Sequence, residues 1–424
     1  MREKGHEAYF VGGCVRDLLL KKTPKDFDIA TDALPKRVQT LFPKTIPVGA
    51  KFGVILVVQG EHSFEVATFR TDEGYQDGRR PIGVRFTNPR EDALRRDFTV
   101  NGLFYDPMAR RVMDWVDGRT DLKRKLIRAI GDPEKRFEED SLRMLRAVRF
   151  ASVLGFKIEA KTLRAVQKLR STLHRVSQER IRDELIKMFT GPYPGLALKL
   201  LDKAGLLKEA LPEIDRLKGV TQPRAFHPEG DVFAHTRLVM EKLKNPPVVL
   251  AFGCLFHDVG KPDTFTRKDR IRFNGHDHVG ARITEGVLAR LRFSNELKEK
   301  ITACVDGHMR FKDVKRMKQS TLKKFMQRET FDTELEQHRV DCLASHGDLA
   351  NWRFLKRKRR VLGREEIRPK PLINGHDLLA LGYAEGPVIG KILRMAEDAQ
   401  LEGKLKSREE ALEWVKKAGG LWVH

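Results

Sequence analysis

Residues 8–31 read AYFVGGCVRDLLLKKTPKDFDIAT, and this stretch decides the fold. Ala8–Val11 is a short apolar run closed by Gly12-Gly13, which predicts a strand. Arg16–Leu20 predicts a helix, and Asp26–Ala30 (DFDIA) a second strand. Side chains alternate along a strand, so Asp26 and Asp28 are expected on one face and Phe27 on the other. Carboxylates that close repel and raise one another's pKa, and a divalent cation removes the conflict. A bare acidic pair also suits a solvated surface, so its neighbours must decide. Gly12-Gly13 lie between a strand and the helix bearing Arg16. Glycines there let backbone N–H groups approach phosphate oxygens, a helix start favours anions, and Arg16 adds a cation. Taken alone, the same residues fit an ordinary turn.

Outward from this stretch, Pro35–Phe42 predicts a helix, and Val54–Val58 and Phe64–Phe69 predict two more strands. Thr71–Arg96 is polar and rich in Gly, Arg and Asp, and reads as a long loop of the functional kind. Strand signals stop near Lys123. Phe137–Leu154 (FEEDSLRMLRAVRFASVL) has helical spacing and no breaker, so one helix is expected. Helical patterns continue over Thr162–Leu169, Gln178–Phe189 and Gly195–Leu201. Gly219, Pro223, Pro228 and Gly230 mark a boundary. A His-rich helical region follows as far as Asp348. The basic run Arg353–Arg364 (RFLKRKRRVLGR) then precedes a short helical tail. Strands first and helices afterwards predict an α+β protein.

With 424 residues the chain exceeds one ordinary core, so several domains are expected. Its 82 Lys+Arg against 59 Asp+Glu give a net charge of +23, which makes nucleic acid the first partner to consider. No basic amphipathic helix with an aromatic face points to a membrane surface instead. Cys14, Cys254, Cys304 and Cys342 form no CxxC pair, so reduced, buried thiols are expected rather than disulfides or a zinc site. No apolar run reaches membrane-span length, and Met1–His6 is not apolar. The expected location is the cytoplasm.

Four motifs occur in a telling order: VGGCVRDLLL (Val11–Leu20), KDFDIAT (Lys25–Thr31), EDALRRDFTVN (Glu91–Asn101) and EEDSLRMLRAVRFA (Glu138–Ala151). Together they resemble the bacterial class II tRNA nucleotidyltransferases, the CCA-adding enzymes, whose head is shared with bacterial poly(A) polymerases. The resemblance implies a nucleotidyltransferase head with a mixed β-sheet over 1–125. It further implies an all-α neck and body over 126–218, an α-helical HD domain over 219–350 and a helical tail over 351–424. The catalytic, Mg²⁺-binding aspartates fall on Asp26 and Asp28. Nucleotide-binding positions fall on Gly13, Arg16, Arg96, Asp97, Asn101, Asp140, Arg143, Arg146 and Arg149, with Asp140 and Arg143 as the base-reading pair. Only Met1–Glu7 precede the first strand, where the resemblance leads one to expect a longer helix.

Elementary chemistry supports the base-reading pair. Spaced three apart, Asp140, Arg143 and Arg146 are expected on one helix face. Cytosine and adenine both set an exocyclic amine beside a ring-nitrogen acceptor. An Asp accepts from the amine, and an Arg donates to the nitrogen. Guanine and uracil present the reverse, which would leave buried polar groups unpaired. Intrahelical ion pairing is the plainer reading of the same spacing.

Tyr75, Asp77, Arg79-Arg80-Pro81 and Val84 resemble the flexible loop of CCA-adding enzymes, so addition of the full CCA to tRNA from CTP and ATP is expected. An enzyme adding only the terminal A would share this loop. A poly(A) polymerase would carry a different segment there. His235, His257, Asp258, His276, His308 and Asp341, in strings such as LFHDVGKP and NGHDHVGA, resemble an HD domain, a metal-dependent phosphohydrolase fold. That implies a transition-metal site, with His227 and His278 as lesser candidates. The tail, Pro371–Leu393 and Ser407–Glu413, resembles the same enzymes and suggests packing, tRNA contact or dimer formation. A phosphohydrolase with a non-functional head, or a non-catalytic RNA-binding protein, would predict loss of head residues that are present here.

Overall fold

A computed structural model describes residues 1–75, 81–224 and 227–418 of the chain. The N-terminal part is built on strands β1 (Ala8–Val11), β2 (Asp28–Thr31), β3 (Thr45–Gly49), β4 (Val54–Gln59), β5 (His62–Thr68), β6 (Arg70–Tyr75), β7 (Pro81–Phe86), β8 (Phe104–Asp106) and β9 (Arg111–Met113). Seven of them form one sheet in the order β3-β4-β5-β2-β1-β8-β9. The β2–β5 pair is parallel and the others antiparallel, so the sheet is mixed as expected. Alternation explains it. Ile55, Val57 and Val66 are buried on one side with Ala33 and Val38, and Tyr9, Val11, Ala30 and Phe104 on the other with Phe69.

Several sequence expectations need correction. Strand β2 begins at Asp28, so Asp26 lies just before it and is exposed, and alternation does not align the two aspartates. The segment read as a loop is largely the antiparallel β6–β7 hairpin followed by helix Pro89–Leu94. Thr71↔Arg85 and Asp72↔Val84 pair across it; β6 (RTDEGY) lacks the apolar alternation that signals a strand, whereas β7 (PIGVRF) carries it at alternate positions. Asn88 caps the helix by accepting from the Glu91 N–H at 3.0 Å, with Pro89 in its first turn. Asp77, Arg79 and Arg80 of the flexible-loop motif lie outside the described residues.

The expected helix over 137–154 is two helices, Pro133–Glu139 and Leu142–Leu154. Asp140 between them is extended (φ −151°, ψ 102°), and its carboxylate accepts from the Leu142 N–H at 3.0 Å. A short acidic side chain bonding local backbone competes with the helix at this point. Asp140 therefore does not share a helix face with Arg143 and Arg146.

The remainder is helical. One apolar core runs from Val15 and Phe98 of the head through Leu145 and Leu185 to Phe252 and Val287. This core continues across residues 218 and 219. Smaller cores lie around Phe311, Phe325 and Phe331, and around Leu378, Ile392 and Val415. The four cysteines are buried free thiols. No helix among the described residues is long and apolar enough to cross a membrane.

Candidate active site and a histidine cluster

Asp28 opens β2, opposite Val11 on one side and Glu65 of β5 on the other. Burial, then Glu65 and Asp26, push its carboxyl from 3.8 up to about 6, while Arg96 pulls it down. A divalent cation bound at such carboxylates would relieve burial and repulsion together. Glu65 escaped sequence reasoning. Its signal was a lone charge in the otherwise uncharged run SFEVAT, legible only once β5 is paired parallel to β2.

Gly12 is required here. Its φ is +73°, and a Cβ would stand 3.0 Å from Arg96 Nη1 and 4.0 Å from Asp28 Oδ2. Arg96 is thus held across the strand–helix turn beside Asp28, and its Nη2 donates to the buried Asp92 at 3.0 Å. Gly13 starts helix Gly13–Leu19, which carries Arg16. From Arg16 a chain of polar contacts leads away from the carboxylates. Arg16 Nη1 donates to Asn101 Oδ1 at 2.7 Å, Asn101 Nδ2 to Asp97 Oδ1 at 3.1 Å, and Arg146 Nη2 to Asp97 Oδ2 at 2.6 Å. Burial would raise the Asp97 carboxyl, but Arg146 and the Asn101 amide outweigh it and hold it at about 2. Arg16, Arg146 and Arg149 surround the Phe150 ring at 5.4, 5.2 and 4.0 Å from its centroid. This cationic wall suits a triphosphate.

The structure thus brings together Gly13, Arg16, Arg96, Asp97, Asn101, Arg146 and Arg149. Asp140 and Arg143 are each engaged elsewhere. Arg180 grips Asp140 through two donors, at 2.7 and 3.2 Å, and Arg143 pairs with Glu139. Glu184, one turn beyond Arg180 on helix Gln178–Phe189, accepts from Arg149 Nε at 2.5 Å. Sequence reasoning missed Arg180, Glu184 and Glu139, because partners on another helix leave no spacing signal.

The six histidine-region candidates converge. His235 Nε2 lies 2.9 Å from Asp341 Oδ1 and 4.0 Å from Asp258 Oδ2. His257 Nε2 lies 3.2 Å and His276 Nε2 3.5 Å from Asp258, and His276 and His308 approach to 3.2 Å through their Nε2 atoms. The Nδ1 atoms of His257, His276 and His308 each face a backbone carbonyl, which turns Nε2 inward. His257 Nε2 is buried without a well-formed hydrogen bond, as a metal ligand would be. Two groups, His235–His257–Asp258 and Asp258–His276–His308, have the compactness of a metal site and share Asp258.

The charges respond accordingly. Burial would lower His235, but Asp341 and Glu229 raise it to about 9. Burial, with His276 and His257, pushes His308 down to about 4. Lys261 Nζ stands 2.7 Å from Asp258 Oδ2. His227 borders the cluster, with its ring centroid 4.6 Å from that of His235, whereas exposed His278 pairs with Asp306 at 2.6 Å. Glu229 and Lys261 were missed as partners, although Lys261 lies three residues beyond Asp258.

The family model "Poly A polymerase head domain" matches residues 8–128. "Probable RNA and SrmB-binding site of polymerase A" matches 155–218, and "tRNA nucleotidyltransferase domain 2" matches 279–415. The CCA-adding enzyme of Lactobacillus helveticus is 47% identical over 224 residues, covering 52% of this chain and 55% of that one. That of Bacillus pumilus is 46% identical over 230 residues, covering 54% and 57%. The chain thus spans about half the length of the curated relatives it matches. The Bacillus stearothermophilus CCA-adding enzyme in complex with CTP superposes with a TM-score of 0.71 at 28% identity, over 99% of this chain and 95% of that one. The Thermotoga maritima CCA-adding enzyme complexed with tRNA gives 0.62 at 21% identity over 98% and 92%, a likeness of fold. The three family models, matched in this order and together over more than half of the chain, show that it belongs to the tRNA nucleotidyltransferase and poly(A) polymerase family.

Proposed function

We propose that the protein adds C, C and A to the 3′ end of tRNA from CTP and ATP, releasing pyrophosphate, without a nucleic-acid template. One observation carries this reading: Asp28 and Arg96 meet at the Gly12 turn, the contact chain Arg16–Asn101–Asp97–Arg146 runs on from the helix that follows, and the charge of Asp140 acts on Arg146. The CTP complex of the Bacillus stearothermophilus relative and the tRNA complex of the Thermotoga maritima one support it.

Asp26, Asp28 and Glu65 would hold Mg²⁺, which when bound neutralises charge at the reacting phosphate. Arg16 and Arg96 face the triphosphate and hold it in line with the tRNA 3′-hydroxyl. The hydroxyl oxygen forms a bond to the α-phosphorus as the bond to pyrophosphate breaks, so most of the catalysis is positioning. Asp140 accepts from the exocyclic amine of C or A. The Arg180 contacts leave the carboxylate acceptor capacity for this. Arg143 would donate to the ring nitrogen beside that amine. Asp97 and Asn101 lie where the sugar would sit.

The His235–Asp341 cluster would hold a transition metal, and the surrounding helices would form an HD domain with phosphohydrolase chemistry. The location is the cytoplasm, where tRNA ends are matured and repaired. To test the main reading, tRNA lacking its CCA is incubated with labelled CTP and ATP. The protein extends it, whereas Asp28→Ala loses at least about 100-fold in rate while tRNA binding changes less than about twofold. Undiminished extension by Asp28→Ala defeats the assignment.

A further inference from the structure

Histidines of the helical region are oriented alike, although they come from different elements. His257 follows helix Val248–Phe256, His276 opens helix His276–Arg290, and His308 follows helix Asn295–Gly307. Each ring turns back on the carbonyl three residues earlier, with Nδ1 at 2.8 Å from that of Cys254, 2.7 Å from that of Phe273 and 2.6 Å from that of Val305. A carbonyl only accepts, so Nδ1 carries the hydrogen, and in the neutral ring Nε2 carries a bare lone pair. His235, on helix Val232–Glu241, has Glu229 Oε1 at 2.9 Å from its Nδ1. All of these Nε2 atoms therefore turn inward.

Lone pairs so placed repel unless cations sit between them. His276 and His308 meet Nε2 to Nε2 at 3.2 Å, and His276 Nε2 lies 3.5 Å from Asp258 Oδ1. A hydrogen bond between the two rings would need a second proton on one of them. His257 Nε2 lies 3.2 Å from the other oxygen, Asp258 Oδ2, and is buried without a well-formed hydrogen bond. His235 Nε2 lies 2.9 Å from Asp341 Oδ1. Ligands of one tetrahedral ion, each about 2.1 Å from it, stand about 3.4 Å apart. Both groups have that spacing, and they approach different oxygens of Asp258, which marks two positions rather than one.

We infer that this cluster holds two transition-metal ions bridged by Asp258: an inner ion on His235, His257, Asp258 and Asp341, and an outer ion on Asp258, His276 and His308. The inference rests on the metal-site reading proposed above. His235 is fully buried, so the inner ion is enclosed by the larger ligand set and fills first. It also fixes the bridging carboxylate, so the outer ion depends on it. The outer ion has fewer protein ligands and faces a cleft of about 570 Å³ that His276 and His308 line with Lys261, Arg270 and Arg272. An open coordination position beside these cations fits a phosphate ester.

The test titrates the full chain with Mn²⁺ in excess Mg²⁺, which fills oxygen-only sites such as the head carboxylates and leaves imidazole sites open. Electron paramagnetic resonance counts the free Mn²⁺ and reads the coupling of the bound ions. The wild type is expected to bind about two Mn²⁺ per chain. The first gives the spectrum of an isolated ion. The second converts it to a spin-coupled signal, because ions sharing a carboxylate lie about 4 Å apart. His276→Gln and His308→Gln should each bind about one and keep the isolated spectrum, while His257→Ala retains neither. A single bound ion in the wild type, or a pair without coupling, overturns the inference and leaves the metal-site reading standing. A coupled pair in His308→Gln overturns it as well. No bound Mn²⁺ at all defeats both. The coupling is read on the wild type, so the decision does not hang on how well a variant folds.

Discussion

Replacing Asp28 by Asn should make the metal-free protein more stable at neutral pH. In the folded protein its carboxyl is pushed from 3.8 to about 6 by burial, Glu65 and Asp26. That gap corresponds to about 3 kcal/mol. The sign follows from proton counting. Between about pH 4 and pH 6 the folded state holds the proton and the unfolded state has lost it, so stability falls as pH rises through this window. Above pH 6 both states are ionised and the penalty persists, below about 3 kcal/mol because solvent screens the part-exposed carboxyl. Asn removes the charge at nearly constant volume. With EDTA present, hydrogen exchange of the β1 and β2 amides reads the local opening free energy of wild type and variant. The variant should be protected by up to about 3 kcal/mol more at pH 7.5, about half that at pH 5, and only a few tenths near pH 4. Mg²⁺ should then stabilise the wild type and leave the variant unmoved. A variant no more protected at pH 7.5, or a gap that ignores pH, refutes the claim that Asp28 sits in a strained carboxylate cluster.

Asp97→Ala leaves Arg146 without its buried partner and should destabilise the protein by about 3 kcal/mol or more in urea. Because the Asp97 carboxyl is held at about 2, the stability it lends is complete above about pH 4 and fades as pH falls towards 2, so the wild type's steepest acid loss should be missing from the variant. Asp140→Ala or Arg143→Ala should let GTP and UTP compete with CTP and ATP by at least about tenfold more than in the wild type, and unchanged selectivity would contradict the base-reading role. His257→Ala should abolish bound transition metal by elemental analysis while nucleotide addition stays within about twofold, and full metal content in this variant would place the metal elsewhere.

The sequence carried the site further than it carried the fold around it. The motifs named Arg16, Asp97, Asn101 and Arg146, which the structure joins in one chain of contacts. Short apolar runs revealed β1, β4 and β5. That signal was missing from the polar β6, was passed over in β7, and was too short in the edge strands β3 and β9 and in β8 between β1 and β9. Helical spacing ran through Asp140 because nothing in the pattern shows a carboxylate turning back onto the Leu142 N–H. Glu65, Arg180, Glu184 and Glu229 act through partners far away in sequence, so only tertiary structure brings them to light. The six histidine-region residues were legible as a set, while the way Asp258 joins two groups needed coordinates.

The central claim, that one site anchored by Asp28 adds C, C and A, is tested most directly with three tRNAs ending before the first C, before the second C and before the final A. Each is incubated with CTP, ATP or both, and the products are sized to the nucleotide. The account predicts growth by three, two and one nucleotides with both substrates present, stopping at CCA, and no growth in any case with Asp28→Ala. Growth of the third tRNA alone, or an open-ended run of A, would contradict it.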